Sequence, residues 1–233
     1  MNHKCIIIPA YNEEKNIGAV IAGIKMHCDI DIVVIDDGST DFTAEIARDS
    51  GAFVIRHPFN LGYGVTLQTG YKYAVLYNYN LLIQMDGDGQ HKPVYIPELI
   101  KEIEKDRCDI IIGSRFLGEK SYNIGFPKSL GINLFRCIIR LITGEKITDP
   151  TSGYQCLNRK VFEFFTEDSF PYDYPDANVI IMLHRANFRI KEIPVEMAPN
   201  LEKRSMHRGI LTITYYFFKM FLSIFITLIR KKH

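Results

Sequence analysis

The segment Asp86–Gln90, with the sequence DGDGQ, holds the residue types best suited to chemistry. In an extended chain alternate side chains face the same way, about 6–7 Å apart, so Asp86, Asp88 and Gln90 would share one side. Such oxygen-bearing side chains are the ligands that Mg²⁺ and Mn²⁺ prefer, and so few of them leave coordination positions for phosphate oxygens. The spacing predicts a divalent-metal site, and a glycine-rich turn that binds local amides is the alternative.

Two further polar segments come nearer the N-terminus. Asp36 and Asp37 follow the apolar run IVVI directly, and their carboxylates are available to ligand hydroxyls or base N–H groups if a later residue caps the next helix. In PAYNEE, Tyr11 offers a ring that can stack on a base, and Glu13 can orient a neighbouring group. The alternatives here are a plain turn and a helix cap, the latter from Asn12.

Short apolar runs alternate with segments of helical periodicity, which predicts an α/β fold with a mainly parallel, doubly wound sheet. The predicted strands are Cys5–Pro9, Ile32–Ile35, Ala52–Ile55, Leu81–Met85, Ile110–Ile112 and Phe188–Val195. The first predicted helix has an apolar stripe at helical spacing from residue 17 to 24. The other predicted helices are Phe42–Ser50, Val65–Tyr77, Val94–Lys105, Ser129–Thr143, Asn158–Phe165 and Asp176–Ala186. Because ligands bind where such strands end, the polar segments are expected to line one crevice.

Composition narrows the class of protein. The 233 residues have a formal net charge of +1 and 47% are hydrophobic, which suits a packed core and not a broadly basic surface for nucleic acid. The five cysteines are scattered and no CxxC pair occurs, so neither a zinc ribbon nor a disulfide framework is indicated.

The motifs IPAYNEE, DDGSTD, NLGYG, MDGDGQH, GSR and DPTSGYQ occur in this order over roughly residues 4–208. In the order and wording of these motifs the chain resembles the family 2 glycosyltransferases of the GT-A fold. The resemblance is greatest to the branch containing dolichol-phosphate mannose synthases and polyprenyl-phosphate glycosyltransferases. The resemblance implies an inverting, metal-dependent glycosyltransferase with a Rossmann-like sheet covered by helices on both faces. It also implies a nucleoside diphosphate sugar donor and Mn²⁺ or Mg²⁺.

The resemblance assigns roles to individual residues. It implies that the nucleoside is held by Pro9, Tyr11, Glu13 and Asp37. It places the divalent ion and the donor diphosphate on Asp86, Asp88 and Gln90, and Arg115 of GSR at the phosphates or the acceptor. It assigns donor-phosphate contacts to Arg204, Ser205 and His207, and an acceptor-side contact to Ser129. The family commonly has an arginine four residues before this serine, where this chain has Gly125.

Two acidic residues are candidates for catalysis. Asp176 occupies the place where many family members carry a catalytic carboxylate, and its alternative role is at the N-terminus of a helix. Asp149 lies in a segment resembling the acceptor-side loop, and a role in capping a helix or bracing a turn is an equal alternative. A sugar hydroxyl acceptor would need one of them as general base, whereas a phosphate acceptor would not.

The C-terminal stretch 209–229 is apolar except for Lys219, and basic residues flank it on both sides. A helix of this length reaches across a bilayer, but basic residues at both ends favour keeping both ends cytosolic. We therefore expect a GT-A domain at 1–208 and a membrane-associated helix at 209–233 that lies peripherally or monotopically on the cytoplasmic face. A single span, or a helix packed between subunits of a homo-oligomer, is the alternative.

These patterns together predict transfer of a sugar to a polyprenyl phosphate, such as undecaprenyl or dolichyl phosphate. One alternative is transfer to a sugar hydroxyl in polysaccharide or cell-wall glycan assembly. An alternative of another class is a non-catalytic subunit that binds nucleotide sugars or anchors a partner enzyme. The patterns identify neither the sugar nor the base.

Overall fold

A seven-stranded sheet organises the chain, which a computed structural model describes over residues 3–118, 126–198 and 210–230. The strands lie in the order β3-β2-β1-β4-β6-β5-β7, and only β6 runs against the others. Their bounds are β1 Lys4–Ala10, β2 Asp31–Asp36, β3 Phe53–Arg56, β4 Leu81–Gln84, β5 Ile110–Ser114, β6 Gln155–Asn158 and β7 Ile190–Pro194. The predicted mainly parallel α/β sheet is confirmed.

Helices cover both faces of this sheet. Their bounds are α1 Ile17–His27, α2 Thr43–Asp49, α3 Tyr63–Leu76, α4 Ile96–Ile103, α5 Phe126–Thr143, α6 Arg159–Phe164, α7 Ala177–Arg185 and α8 Ile210–Ile229. A single 3-10 turn, Pro93–Tyr95, precedes α4, so that helix begins later than its periodicity predicts.

The core has two halves because side chains alternate across the strands. In β1, Ile6 and Ile8 point to one face with α1 and α4, while Cys5 and Ile7 point to the other, which α3, α6 and α7 cover. All four side chains are fully buried, which accounts for the continuous apolar run of this strand.

Strand β6 was not predicted. Its four residues, QCLN, show no alternation of apolar and polar types, and only the middle two are buried. The strand forms because it completes the backbone hydrogen bonding of β4 on one side and β5 on the other, pairing antiparallel with both. Gln155 therefore belongs to the sheet as well as to the end of the DPTSGYQ segment.

Helix α8 shares the core of the domain. Tyr216, Met220 and Ile224 are buried in the same half-core as α3 and α7. Among the described residues, we find no helix with the length and apolar character required to cross a membrane. The boundary between 1–208 and 209–233 stays a prediction, since residues 199–209 lie outside the described ranges.

Candidate active site

The carboxyl ends of β1, β2, β4 and β5 point to the same edge of the sheet, since these strands run in the same direction. The segments that begin at Pro9, Asp36, Asp86 and Arg115 leave the sheet there or immediately beyond it. The topology thus brings the predicted polar segments to one edge, where ligands of such folds bind.

The loops after β1 and β2 are hydrogen-bonded to each other. Asn12, with φ 55°, donates its backbone N–H to Ser39 Oγ at 2.9 Å and accepts from the Thr40 N–H at the same distance. The backbone N–H of Glu13 donates to Thr43 Oγ1 at 2.7 Å. These hydrogen bonds fix the two loops relative to each other. The Tyr11 side chain beside them is 45% exposed, so its ring is accessible to a ligand.

Asp37 has a structural role that the sequence did not reveal. Its Oδ1 accepts from the Leu61 N–H at 2.9 Å and lies 2.8 Å from His57 Nδ1, while its Oδ2 accepts from the Gly62 N–H at 2.9 Å. The buried carboxylate therefore fastens the loop that leads into α3. Any contact with a nucleoside would be additional to these bonds. Neighbouring Asp36 is fully buried with Arg56 Nε 3.1 Å from its Oδ2.

Asp86 is held by groups from two distant segments. Tyr63, at the start of α3, donates its hydroxyl to Asp86 Oδ1 at 2.8 Å. Gly153 packs so closely that a Cβ there would lie 2.9 Å from the Tyr63 hydroxyl and 3.0 Å from Asp86 Oδ2. A side chain at position 153 would thus displace this pair. Burial raises the pKa of Asp86, against the lowering effects of Tyr63 and Arg115.

The backbone of Asp86–Gln90 is a turn and not the extended segment that the alternation predicts. Strand β4 ends at Gln84, Gly89 has φ 78°, and Asp88 Oδ1 accepts from the Gln90 N–H at 3.0 Å. That side-chain to backbone bond and the left-handed backbone of Gly89 stabilise the turn. The Gln90 side-chain amide also donates to Asp88 Oδ2. Burial and then the nearby Asp86 raise the pKa of Asp88, as expected for carboxylates close together.

His91 holds the start of this turn in place. Its position in MDGDGQH does not reveal this role. It is buried and stacked on Tyr154, with ring centroids 4.9 Å apart. Its Nδ1 accepts from the Asp86 backbone N–H at 2.9 Å, which fixes the start of the turn. Burial lowers the pKa of His91 to about 4, so the ring is neutral at pH 7 and its 3.6 Å approach to Asp86 Oδ2 is not an ion pair.

Arg115 and Asp149 form a buried, two-point ion pair. Arg115 Nε donates to Asp149 Oδ2 at 2.7 Å and Nη2 donates to Oδ1 at 2.6 Å, and the Arg115 backbone N–H adds a third bond at 3.0 Å. Asp149 is 0% exposed. A carboxylate with both oxygens committed to a guanidinium is poorly placed to accept a proton, so the geometry favours the bracing role.

Asp176 is the residue immediately before α7, and its side chain makes no capping hydrogen bond to that helix. Instead, Tyr216 of α8 donates its hydroxyl to Asp176 Oδ2 at 2.8 Å. Burial raises the pKa of Asp176 to about 6, and the charges of Arg115, Asp86 and Asp149 also act on it. The effect of these charges on the pKa of Asp176 agrees with a position near the DGDGQ turn.

The remaining predicted residues fall into two groups. Pro9 is buried within β1, and Ser129 is partly buried in the first turns of α5. Arg204, Ser205 and His207 lie outside the described residues, as does Gly125. Their assignments stay predictions.

Curated relatives of the chain are named for sugar transfer to polyprenyl phosphates. It is 28% identical over 223 residues to the UDP-N-acetylglucosamine–dolichyl-phosphate N-acetylglucosaminyltransferase of Methanococcus voltae, covering 88% of each chain. It is 26% identical over 199 residues to the undecaprenyl-phosphate mannosyltransferase of Micrococcus luteus, covering 81% of each. These names agree with the branch that the motifs resemble.

A solved structure has the same fold. Glucosyl-3-phosphoglycerate synthase from Mycobacterium tuberculosis, in complex with Mn²⁺ and UDP-glucose, superimposes with a TM-score of 0.72 at 20% sequence identity. The match covers 97% of this chain and 79% of that one. The profile described as glycosyl transferase family 2 matches residues 5–165. The chain therefore belongs to glycosyl transferase family 2 and is a glycosyltransferase.

Proposed function

We propose that this glycosyltransferase moves a sugar, with inversion, from a nucleoside diphosphate to a polyprenyl phosphate at a membrane surface. The observation that carries the proposal is the geometry at the edge of the sheet, where Asp86 accepts from Tyr63 and packs against Gly153 in the same turn as Asp88 and Gln90. The names of the relatives from Methanococcus voltae and Micrococcus luteus support the choice of acceptor.

The chemistry of the DGDGQ turn fits a divalent ion. Burial raises the pKa of both Asp86 and Asp88, and the charge of Asp86 raises the pKa of Asp88 further, so a bound cation would stabilise the ionised carboxylates. Across 3–118, 126–198 and 210–230, no three His, Cys, Asp or Glu side chains gather into a metal cluster. Two carboxylates and the Gln90 amide oxygen match a site that the donor diphosphate completes. When bound, Mn²⁺ or Mg²⁺ supplies charge to offset that developing on the leaving diphosphate.

The protein groups around this turn orient the donor. Tyr11 stacks on the base, Glu13 and Asp37 fix the loops that receive the nucleoside, and Tyr63 and His91 hold Asp86 in place. Preorganised groups of this kind need no rearrangement as charge develops, which is the main source of catalytic power in such sites.

The acceptor determines whether Asp176 acts as a base. A phosphate monoester is largely ionised at neutral pH, with a second pKa of about 6, and can attack the anomeric carbon unaided. A sugar hydroxyl is a poor nucleophile and needs a base. The raised pKa of Asp176 suits a base and keeps the hydroxyl acceptor as the second candidate.

We expect Asp176→Asn to lower kcat by less than about 10³-fold with polyprenyl phosphate, because general-base catalysis contributes about 10²–10⁴-fold and is not required here. The measurement is transfer of labelled sugar to undecaprenyl phosphate, together with donor affinity. Asp173→Asn, an exposed aspartate three residues earlier that pairs with Lys219, is the matched control and should behave as wild type. A larger loss for Asp176→Asn with intact donor binding would favour a hydroxyl acceptor.

Helix α8 offers a surface for the membrane. Its outward face carries exposed apolar side chains at helical spacing, namely Phe218, Phe221, Leu222, Phe225 and Ile229. Basic residues border the helix in the sequence, from Lys203 before it to Lys232 after it. An apolar face with basic borders binds an anionic bilayer by area and by charge, and this arrangement suits the cytoplasmic leaflet.

The double substitution Phe218→Ser, Phe225→Ser should strongly reduce flotation of the protein with vesicles that contain phosphatidylglycerol. Each substitution removes apolar area from the surface that would contact the membrane. Because both phenylalanines are exposed, neither substitution opens a cavity in the core. Truncation is a poorer test, since α8 also supplies buried residues. Leu76→Ser, 75% exposed on α3, is the control and should float as wild type. Unchanged flotation of the double variant would contradict the membrane role. So would a wild-type protein that is a dimer and a double variant that is a monomer, because the apolar face would then join two subunits.

A further inference from the structure

The buried face of α8 reaches the candidate active site through Tyr216. The side chain is 8% exposed, and its ring is held edge-on by Phe135 and Tyr174, with centroids 6.0 and 4.9 Å away. Its hydroxyl donates to Asp176 Oδ2 at 2.8 Å. A rigid tyrosine on one helix therefore sets the position of a carboxylate at the start of another.

A second chain of hydrogen bonds runs from α8 to the backbone of the same residue. Asn178, fully buried in α7, donates its side-chain amide to Ser223 Oγ at 2.6 Å. Its Oδ1 accepts from the Asp176 backbone N–H at 2.9 Å. Helix α8 thus constrains Asp176 at the side chain and at the main chain.

We propose that Tyr216 is a positioning residue, which orients the Asp176 carboxylate toward the centre of sugar transfer and makes turnover depend on the seating of α8. The inference rests on the proposed function, which places Asp176 at that centre and leaves it a contribution of less than about 10³-fold with a phosphate acceptor and a full general-base role with a hydroxyl acceptor. The physical basis is that a catalytic group displaced by about 1 Å can lose about 10²-fold in rate. Loss of one hydroxyl that holds the carboxylate leaves it mobile, not absent, so the expected effect is smaller.

The test is a double-mutant cycle between Tyr216→Phe and Asp176→Ala in the full chain. Tyr216→Phe should lower kcat about tenfold and leave the KM for the donor unchanged. In the Asp176→Ala background it should have no further effect, since no carboxylate remains to be positioned. Ser223→Ala should lower kcat in the same direction but less, and it keeps the proposal testable if Tyr216→Phe does not fold.

The matched control is Thr227→Val. Thr227 is a buried hydroxyl on the same helix that, among the residues the structure describes, donates to the Ser223 carbonyl one turn away and to no group outside α8, so kcat should stay at the wild-type value. Equal losses in kcat for Thr227→Val and Tyr216→Phe would overturn the proposal, because they would report general loosening of α8.

Other outcomes separate this inference from the proposed function. If Asp176→Ala turns over as wild type, or if Tyr216→Phe is as damaging in the Asp176→Ala background as alone, the positioning role is overturned while transfer to polyprenyl phosphate stands. If the wild type transfers sugar only to a hydroxyl acceptor, the proposed acceptor is wrong. The cycle is then run with that acceptor, and the coupling between Tyr216 and Asp176 decides for or against the inference.

Discussion

Asp88→Ala is expected to abolish sugar transfer and Mn²⁺-dependent nucleotide binding while the protein stays folded. A divalent ion contributes several kcal/mol to a transition state with a charged leaving group, so we expect kcat/KM to fall by more than about 10³-fold. Among the described residues the Asp88 side chain bonds to Gln90 alone, so the change should loosen the DGDGQ turn locally and leave the sheet and its core folded.

The measurement is a thermal-shift panel of nucleotide sugars with and without Mn²⁺. The wild type should be stabilised by its donor in a Mn²⁺-dependent way, since a ligand that binds the folded state raises Tm by mass action. Asp88→Ala should lose that shift, and Asp168→Ala, an exposed aspartate outside the site, should keep it. Retention of both the shift and turnover by Asp88→Ala would refute the metal assignment.

Asp149→Asn is expected to lower the free energy of unfolding by about 3 kcal/mol. Breaking a buried ion pair by removal of one partner costs about 3–5 kcal/mol, because the other charge is left uncompensated. Arg115 keeps a bond to Thr151 Oγ1 at 2.9 Å, which places the expected cost at the lower end. Urea unfolding without ligands measures it.

The control for this substitution is Asp106→Asn, which removes an exposed aspartate 3.5 Å from Arg189. Exposed pairs contribute about 0–1 kcal/mol, so this variant should unfold close to wild type. The two interpretations of Asp149 differ in what they lose. A brace costs stability, whereas a general base would leave stability intact and cost kcat by about 10²–10⁴-fold. Unfolding of Asp149→Asn at the wild-type urea concentration would contradict the bracing role.

The sequence predicted the parallel part of the sheet because continuous apolar runs are typical of strands buried on both faces. Ile6–Ile8 and Val33–Ile35 are clear examples. It did not predict β6, since QCLN is too short and too mixed to carry a period, and the strand depends on the neighbours that it pairs with. The pattern of apolar residues therefore predicts a strand when that strand's own side chains are buried on both faces, and it fails when the strand depends on its neighbours.

The candidate site divides in the same way. The motifs and the topology were enough to place the strand ends at one edge. They did not reveal the side-chain partners, because Tyr63–Asp86, Arg115–Asp149 and Tyr216–Asp176 join residues 23, 34 and 40 positions apart. No periodicity encodes such contacts. The DGDGQ segment shows the converse error, since its alternation suggested an extended segment, while the structure has the alternative, a glycine-rich turn in which Asp88 binds a local amide.

The most direct test of the proposed reaction is to follow the sugar. Purified protein would be incubated with Mn²⁺, a labelled nucleotide sugar and undecaprenyl phosphate in vesicles, and the lipid would then be extracted. We predict label in the lipid fraction, released as free sugar by mild acid and attached with the opposite anomeric configuration to the donor. Label that stays entirely in the aqueous phase of the extraction, or that is attached only to a glycan hydroxyl, would contradict transfer to a polyprenyl phosphate.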